Sequence, residues 1–555
     1  MSGDIEQRTT SELVSGAVAY QTVSPTRAVE CAELLAEHLD ELDGAELARG
    51  RRMVAWNRRF DDPEGAARDL HALADDIRDE FPAWAAQSEM IADALTVELE
   101  QADPAIMLEY GPADESWPRI PRAGYERNLA AAVAPLDVEK AREAVDRGLA
   151  ALDADGPTSY PEPDGSVHGS DESDAAGMES GLRLFRAQIL AATGEDPRPE
   201  IDKAIFAARR STACATTPDQ EMATRAEIVQ ALRMSSSQRA ETDPGAALAE
   251  LNQAVGMAAH EQLGETLGQR LQIYAALGDV DNALDDAEQA AALWRVEGLE
   301  NLSDAMNLDV ARLKLMRGDD PQEVLDLVGP IRTRMIARED QGGATDALVL
   351  QARALGEAGR PDESVAAFSE LIDGLTGEEH PGYVAQLHDA RGLEFWKLER
   401  PAEAAADLEA ASAGFADAGD PYLAAGSAVN QALTSHVAGD SPAALRALDR
   451  ADELYDVVAQ QNPVDVERAQ LHMARADVLR ESDPQRSQAL LDSVIARAQD
   501  PEWTPIRSAA LHLKAVHALN DGDVEKAHDL VQAGLESDPE HPGLQELHQV
   551  LHGED

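Results

Sequence analysis

Histidine residues are concentrated near the end of the sequence, and imidazole is the side chain most often used to bind zinc or to transfer protons near neutral pH. His548 and His552 are four residues apart, so they share one face of a helix. A zinc site needs three or four ligands in a fixed geometry, and two histidines do not supply them. We therefore interpret the pair as part of a solvated terminal helix. The histidines of this region are His512, His517, His528, His541, His548 and His552.

The chain contains only two cysteines, Cys31 and Cys214, so it has no disulfide framework and fits a reducing compartment. Cys31 lies in an apolar helical run with Ala28 and Leu35, which predicts a buried small hydrophobic residue. Cys214 stands near a predicted helix boundary without a motif around it, and we interpret it as structural as well.

Motifs that carry catalysis are absent from the sequence. No GxxxxGK[ST] loop is present, no GxGxxG follows a strand, and neither GxSxG nor HExxH occurs. An acidic pair such as Asp285-Asp286 does not by itself indicate a catalytic site in a chain with 105 carboxylates. The sequence therefore predicts a protein that is not an enzyme, with no catalytic residues, no cofactor and no metal site.

The charge of the chain excludes some classes of partner. There are 105 acidic and 47 basic residues, and the net charge is −58. Nucleic acids and anionic membranes both require a basic footprint, so neither is expected as a partner. The acidic surface keeps a long array soluble, and attraction to basic partners is the alternative interpretation. Residues 1–10 are polar and lack a signal-peptide pattern, which predicts a cytoplasmic protein.

The elements that must carry any site are helices. Apolar residues make up 44% of the chain but aromatic residues only 4%, so the core is built mainly from Ala, Leu and Val, which suits closely packed helices. Apolar residues recur at steps of three and four, and no segment alternates as a strand does. In one example, Leu267 and Leu271 lie in a first helix, Gly278-Asp279 breaks it, and Ala283 lies early in a second.

This helix–turn–helix unit repeats along the chain. When the copies are aligned on the small residue early in the second helix, the steps between them are 40, 41, 40, 40, 43 and 40 residues. A fixed period of this kind is the signature of a solenoid, in which each helix pair buries its apolar face against its neighbours. The aligned positions are Ala283, Glu323 (a poor match), Ser364, Ala404, Ala444, Ser487 and Ala527, with Ala28, Ala66 and Ala247 in similar places upstream.

Several copies match the pattern of a known family. Gly392 and Phe395 occupy the first-helix pair of one copy, and Gly522-Asp523 forms the turn of another. The chain resembles the tetratricopeptide repeat superfamily, although its period of about 40 residues is longer than the usual period of about 34. It is similar to the longer repeats in the helical arms of bacterial regulators and adaptors. The resemblance implies an all-α fold, an α-solenoid of about twelve antiparallel helix pairs in a right-handed superhelix.

Two stretches interrupt the array. Residues 104–125 contain four prolines and cannot form a continuous helix, and residues 153–181 are acidic and rich in Gly, Pro and Ser, which predicts a disordered loop. A structured lid is the alternative for the second stretch. The predicted domains are N-terminal helical pairs in 1–103, an irregular segment with one helical stretch and the loop in 104–181, and the main array in 182–555.

The resemblance also implies a binding face, because the first helix of each pair lines the concave surface in this family. Phe395 and Trp396 are adjacent and cannot share one helical face. If Phe395 packs inside its pair, Trp396 points toward the groove; packing against a neighbouring pair is the alternative. The residues that this register places in a partner-binding groove are Arg353, Asp389, Leu393, Trp396, Lys397, Val429, Leu433, His436, His472, His512 and Val516.

Three functions remain open from the sequence. The favoured one is a non-enzymatic scaffold or adaptor that binds a protein or peptide on the concave face. The second is a regulatory sensor whose array binds a small ligand or signalling peptide and controls a separate effector. The third is an enzyme with an unrecognised site in 104–181, which no motif favours. The sequence does not identify the partner, the pathway, the oligomeric state or any regulatory role of residues 153–181.

Overall fold

The structure is a computed structural model that describes residues 5–160, 171–374, 380–460, 463–498 and 500–552. Within these ranges the chain is α-helical and contains no strand, which confirms the predicted all-α fold class. Most consecutive helices are joined by short turns and pack against each other in pairs, as in an α-solenoid. No helix in these ranges is both long and apolar enough to span a bilayer.

The chain divides into two compact units, Met1–Leu313 (unit 1) and Lys314–Asp555 (unit 2). The helices that lie in unit 1 or begin there are α1 (Thr10–Val23), α2 (Pro25–Ala36), α3 (Gly44–Arg58), α4 (Pro63–Ile77), α5 (Pro82–Glu98), α6 (Arg119–Val133), α7 (Val138–Asp153), α8 (Asp171–Ala192), α9 (Arg198–Cys214), α10 (Pro218–Arg239), α11 (Pro244–Val255), α12 (His260–Ala276), α13 (Val280–Val296) and α14 (Glu300–Arg317). Short 3₁₀ helices span Leu39–Glu41 and Pro104–Glu109.

Unit 2 contains the most regular repeats. Its helices are α15 (Pro321–Ala337), α16 (Gln341–Glu357), α17 (Pro361–Asp373), α18 (Pro381–Lys397), α19 (Pro401–Asp417), α20 (Pro421–Val437), α21 (Ser441–Val458), α22 (Asp465–Leu479), α23 (Pro484–Arg497), α24 (Thr504–Asn520), α25 (Val524–Ser537) and α26 (Pro542–His552), with a 3₁₀ turn at Pro501–Trp503.

The turns within the pairs follow from their sequences. The predicted turn glycines Gly278 and Gly522 have positive φ angles (74° and 80°), as does Gly359 (70°), a conformation that costs glycine little. In two of these turns the next residue is Asp279 or Asp523, whose carboxylate accepts a hydrogen bond from the first turn of the following helix. The Gly-Asp pair therefore ends one helix and begins the next.

The predicted small residues lie where the two helices of a pair approach each other. Ala283, Ala404, Ala444 and Ala527 are completely buried. Ser364 and Ser487 are buried as well, and their hydroxyls donate hydrogen bonds to the Ala352 and Ala476 carbonyls of the preceding helix, at 2.7 Å in both cases.

The alignment is wrong in one copy. Glu323 is exposed, and Val324, one position later, is completely buried in its place. Asp320 caps the start of α15 and is followed by Pro321, so this helix begins one residue later relative to its turn glycine, Gly318, than the alignment assumed.

In unit 1 the N-terminal helices pack against helices that lie far away in sequence. Helix α1 contacts α10 and α12. Arg8 forms a bidentate ion pair with Asp219 at 2.9 and 3.0 Å. The Ser24 hydroxyl donates a hydrogen bond to Glu261 at 2.7 Å, and both residues are buried. These contacts join residues more than 200 positions apart.

The predicted disordered loop is wrong at its C-terminal end. Residues 161–170 lie outside the described residues, but α8 begins at Asp171 and buries Ser173, Ala176 and Ser180. The acidic run Asp171, Glu172 and Asp174 occupies the first turn of this helix, where carboxylates are favoured by the helix dipole.

The proline-rich segment 104–125 is not a continuous helix, as predicted, but residues 119–125 at its end belong to α6. A 3₁₀ helix spans Pro104–Glu109, and the chain then stays non-helical until α6 begins at Arg119. The region 104–181 also contains two packed helices, α6 and α7, where the sequence predicted one helical stretch. The domain boundaries themselves remain a prediction.

Candidate functional site

A cavity of about 530 Å³ lies in unit 2 between consecutive helix pairs. Helix α18 supplies most of its wall, with further residues from α16, α17, α19 and α20. Five predicted groove residues line it together: Arg353, Asp389, Leu393, Trp396 and Lys397. The other lining residues are Glu357, Phe368, Gln386, Ala390, Glu394, Phe415 and Leu423.

The two adjacent aromatic residues of α18 point in different directions. Phe395 is 9% exposed and packs with Val365 and Ala404 inside the repeats. Trp396 is 43% exposed and lines the cavity, with Leu393 (41% exposed) one turn earlier. Since successive helical residues are about 100° apart, the burial of Phe395 forces the indole of Trp396 into the open space. Trp396 therefore lines the cavity, and its role in binding a partner remains a prediction.

The polar part of the wall is held by hydrogen bonds. The Ser427 hydroxyl of α20 donates to the Asp389 carboxylate at 2.6 Å, and burial raises the pKa of Asp389. The Lys397 ammonium donates to Glu394 at 2.7 Å, so its charge is neutralised within α18. Arg353, by contrast, is exposed and has no hydrogen bond or ion pair within the described ranges. It is thus the positive group of the wall that can pair with a ligand.

A buried ion-pair network fixes α18 on α19 behind the cavity. The Arg391 guanidinium donates two hydrogen bonds to the Asp407 carboxylate, at 2.7 and 2.8 Å, and the His388 ring lies 2.9 Å from the same group. Burial raises the pKa of Asp407, but the hydrogen bonds from Arg391 and His388 outweigh it, and the net shift is downward. The network joins α18 to α19 in the structure without a ligand, in which the cavity is already present.

The remaining predicted groove residues lie on later first helices and do not line this cavity. Val429 packs against a core cluster, Leu433 is exposed, and His436 lies 3.2 Å from the Ser441 hydroxyl. The His512 ring is 5.5 Å from that of His541. His472 and Val516 are half-buried on α22 and α24. Their place in a binding groove remains a prediction.

The titratable groups singled out in the sequence do not form a reactive centre within the described ranges. Cys31 is completely buried, and burial raises the pKa of its thiol to about 11, so it is an inert core residue as predicted. The rings of His548 and His552 stack at 4.0 Å. No group of three or more His, Cys, Asp or Glu with metal-binding geometry is found in this part of the chain.

Sequence reasoning missed part of the cavity wall. Phe368 and Phe415 come from second helices, which the family register assigns to packing, and both are almost fully buried. Leu423 stands at the start of α20 and is 42% exposed. Nothing in its sequence context separates it from an ordinary surface leucine.

The small buried residues at the helix crossings and the Gly-Asp turns occur at corresponding positions in the helix pairs. The described part of the chain is an α-solenoid of helix pairs that resembles a tetratricopeptide repeat array. The structure agrees with the resemblance in the sequence, and the repeats are longer than those of the usual family pattern.

Comparisons with known proteins give only distant similarities. No family model and no curated protein matches the sequence. Among solved structures, the chain is similar to a tetratricopeptide repeat protein from Parabacteroides merdae (16% identity, TM-score 0.37, covering 52% of this chain and 98% of that one). It is also similar to the apo form of the quorum sensor NprR from B. thuringiensis (11%, 0.46, 64% and 97%). A third is a Rap protein complexed with Competence and Sporulation Factor (12%, 0.38, 67% and 99%). These identities and TM-scores do not indicate what the chain binds.

Proposed function

We propose that the chain is a non-enzymatic scaffold that binds a peptide segment of a protein partner in the cavity of unit 2. The observation that carries this proposal is the exposure of Trp396 and Leu393 beside this cavity. A large indole left 43% exposed on a rigid helix is poorly hydrated in the free protein. Covering it with an apolar side chain releases that water, which is why aromatic anchors dominate many interfaces.

The charges of the wall indicate the chemistry of the segment. Lys397 and Asp389 already have partners inside the protein, whereas Arg353 has none within the described ranges. A peptide with an apolar anchor residue next to a carboxylate would fill the cavity and pair with Arg353. A volume of about 530 Å³ accommodates a few side chains, which suits a short motif.

The same volume also favours the second candidate, a sensor whose array binds a small ligand, because pockets for small molecules span about 300–1,000 Å³. The two candidates differ in the length of what is recognised. A peptide would also contact surfaces outside the cavity, such as the exposed Leu433 on α20. A small ligand would be enclosed by the cavity residues alone.

The test places a photo-crosslinking amino acid at Leu393 in the full chain, expressed in its native host, and identifies the crosslinked segment by mass spectrometry. The same amino acid at Phe206, which is 69% exposed on α9 in unit 1, is the matched control. The segment is then synthesised and its affinity measured for the wild type and for Trp396→Ala. We expect a loss of about 2 kcal/mol or more in Trp396→Ala, because a central aromatic anchor is removed.

Two controls make the result decisive. Phe206→Ala should bind the synthetic segment with unchanged affinity, and both variants should keep the helix content of the wild type. The scaffold proposal fails if Trp396→Ala binds normally, or if the same segments crosslink at Leu393 and at Phe206. Crosslinking only to a small molecule would favour the sensor.

A further inference from the structure

The charged residues that line the cavity of unit 2 are not all paired. Lys397 and Glu394 pair with each other at 2.7 Å. The other charged lining residues are Arg353, Glu357 and Asp389, and none of them forms an ion pair within the described ranges. Arg353 and Glu357 are four residues apart on α16, so a charge of each sign is present on that helix. The negative charge without a counterpart is therefore that of Asp389 on α18.

Asp389 is half-buried, and its only partner within the described ranges is neutral. The hydroxyl of Ser427, which is itself buried, donates to the Asp389 carboxylate at 2.6 Å. Burial raises the pKa of Asp389, this hydrogen bond alone acts in the opposite direction, and no basic group contributes. The basic residues beside it on α18, His388 and Arg391, both contact Asp407 of α19 instead. A half-buried carboxylate held only by a hydroxyl leaves a charge that a cation can neutralise.

Asp389 lies on the same face of α18 as the apolar part of the wall. Leu393 follows it by four residues and Trp396 by seven, the spacing of one helical face, and all three side chains line the cavity. Seven residues of helix rise about 10 Å, a distance that an extended peptide spans with roughly three residues. A peptide seated on the indole therefore reaches the carboxylate with a side chain a few residues away.

Starting from the peptide site proposed above, we infer that the bound segment carries a basic side chain, arginine or lysine, roughly two to four residues from its apolar anchor, and that Asp389 recognises it. The anchor covers Trp396 and Leu393. The ammonium or guanidinium group donates charge-assisted hydrogen bonds to the carboxylate, whose orientation the Ser427 hydroxyl fixes. The carboxylate proposed for Arg353 is a separate contact of the same segment.

Two further effects favour a basic segment over a neutral one. A neutral side chain at this position would cover Asp389 on binding and leave its charge buried without a partner, which lowers the affinity of the wrong ligand. The net charge of −58 attracts basic segments before contact is made. The second effect is general to the whole surface, so the test must separate it from recognition by Asp389.

The test selects peptides from a random library displayed on phage, with the full chain as wild type, Asp389→Asn and Glu409→Gln. Asparagine keeps the shape of the side chain and still accepts the hydrogen bond of Ser427, so this variant should fold. Glu409 is exposed on α19 and does not line the cavity, and its replacement changes the net charge equally. We expect wild type and Glu409→Gln to enrich a basic residue near an apolar one, and Asp389→Asn to enrich the apolar residue alone.

Calorimetry then measures the interaction directly. The most enriched peptide is synthesised with its basic residue and with glutamine in that place. The exchange should weaken binding to the wild type and to Glu409→Gln by about tenfold or more, and binding to Asp389→Asn by less than about threefold. The exchange in the wild type tests the preference even if a variant is destabilised, and circular dichroism with thermal melting checks the folding of each variant.

Trp396→Ala separates the role of Asp389 from the peptide site on which it depends. If no peptide is enriched on the wild type, or if the selected peptides bind Trp396→Ala as tightly as the wild type, the peptide site fails and recognition by Asp389 fails with it. If Trp396→Ala loses affinity but the basic residue is absent, or is enriched equally on Asp389→Asn, the peptide site is supported and the role of Asp389 is overturned.

Discussion

Replacing Ala404 by Leu tests the register of the repeats most directly. Ala404 is completely buried where α19 crosses α18, and it packs with Val365 and Phe395. On the facing helix, a methyl group at Gly392 would already lie 3.3 Å from the Ala404 carbonyl and 3.0 Å from Leu408 Cγ. Non-bonded carbons need about 3.5–4.0 Å. The three additional carbons of leucine therefore have no free space at this crossing.

The expected cost follows from this geometry. Overpacking a filled core costs about 1–3 kcal/mol, because neighbouring side chains leave their rotamers and the backbones move apart. The same substitution at Ala406, which is exposed on α19, is the matched control and should change stability by less than about 0.5 kcal/mol. In a repeat array each unit contacts mainly its neighbours, so the loss should be concentrated in α18, α19 and the adjacent helices.

The assay combines urea denaturation, followed by far-ultraviolet circular dichroism, with native-state hydrogen exchange resolved by mass spectrometry. Ala404→Leu should lower the first unfolding midpoint and increase exchange in peptides from α18 and α19. Peptides from α3 to α6 in unit 1 should exchange as in the wild type. If Ala404→Leu and Ala406→Leu are equally stable, Ala404 does not occupy the tight crossing and the register is incorrect.

Three further substitutions test individual features of the structure. Glu399, in the turn between α18 and α19, has a φ of 56°, so Glu399→Gly should raise stability by up to about 1 kcal/mol in urea denaturation; a destabilised variant would contradict the strain argument. Ser487→Ala removes the buried hydrogen bond to Ala476 and should cost about 0.5–1.5 kcal/mol, whereas an unchanged midpoint would mean that the bond contributes nothing. The pKa of Glu227 is raised from 4.5 to about 8, so the folded protein retains a proton that the unfolded chain releases, and wild-type stability should fall as pH rises from about 4.5 to about 8. Glu227→Gln should remove that part of the pH dependence, and parallel stability profiles for the two proteins would refute the shift.

The sequence was sufficient for features that depend on neighbours along the chain. The turn at Gly522-Asp523 follows from the backbone preference of glycine and from aspartate capping, and both act within a few residues. The small residue at Ala404 was recognisable because its period is that of the helix pair. The error at Glu323 arose where α15 begins one residue later after its turn, since a shift of one position moves a side chain from the crossing to the surface.

The candidate site was only partly predictable for the same reason. Trp396 follows Phe395, so helical geometry alone separates the two side chains, and Trp396 lines the cavity. Leu423 reaches the same cavity from another helix pair, and no local pattern distinguishes it. The start of α8 was missed because an acidic, glycine-containing run resembles a linker until its buried face, including Ser180, has a neighbouring helix to pack against.

The amino-acid sequence by itself determined that this chain is a helical repeat array, where its turns lie and which residues sit at most helix crossings, because these properties depend on φ, ψ and spacings of three or four residues. Only the tertiary structure decided which distant residues meet. Arg52, Arg127 and Glu227 come from three helices spread over more than a hundred residues, and the ion pair between Arg8 and Asp219 spans 211. Their juxtaposition depends on how successive pairs stack, and small changes in the angle of each pair add up over several repeats. A sequence pattern within one repeat therefore does not predict which residues of distant helix pairs come together.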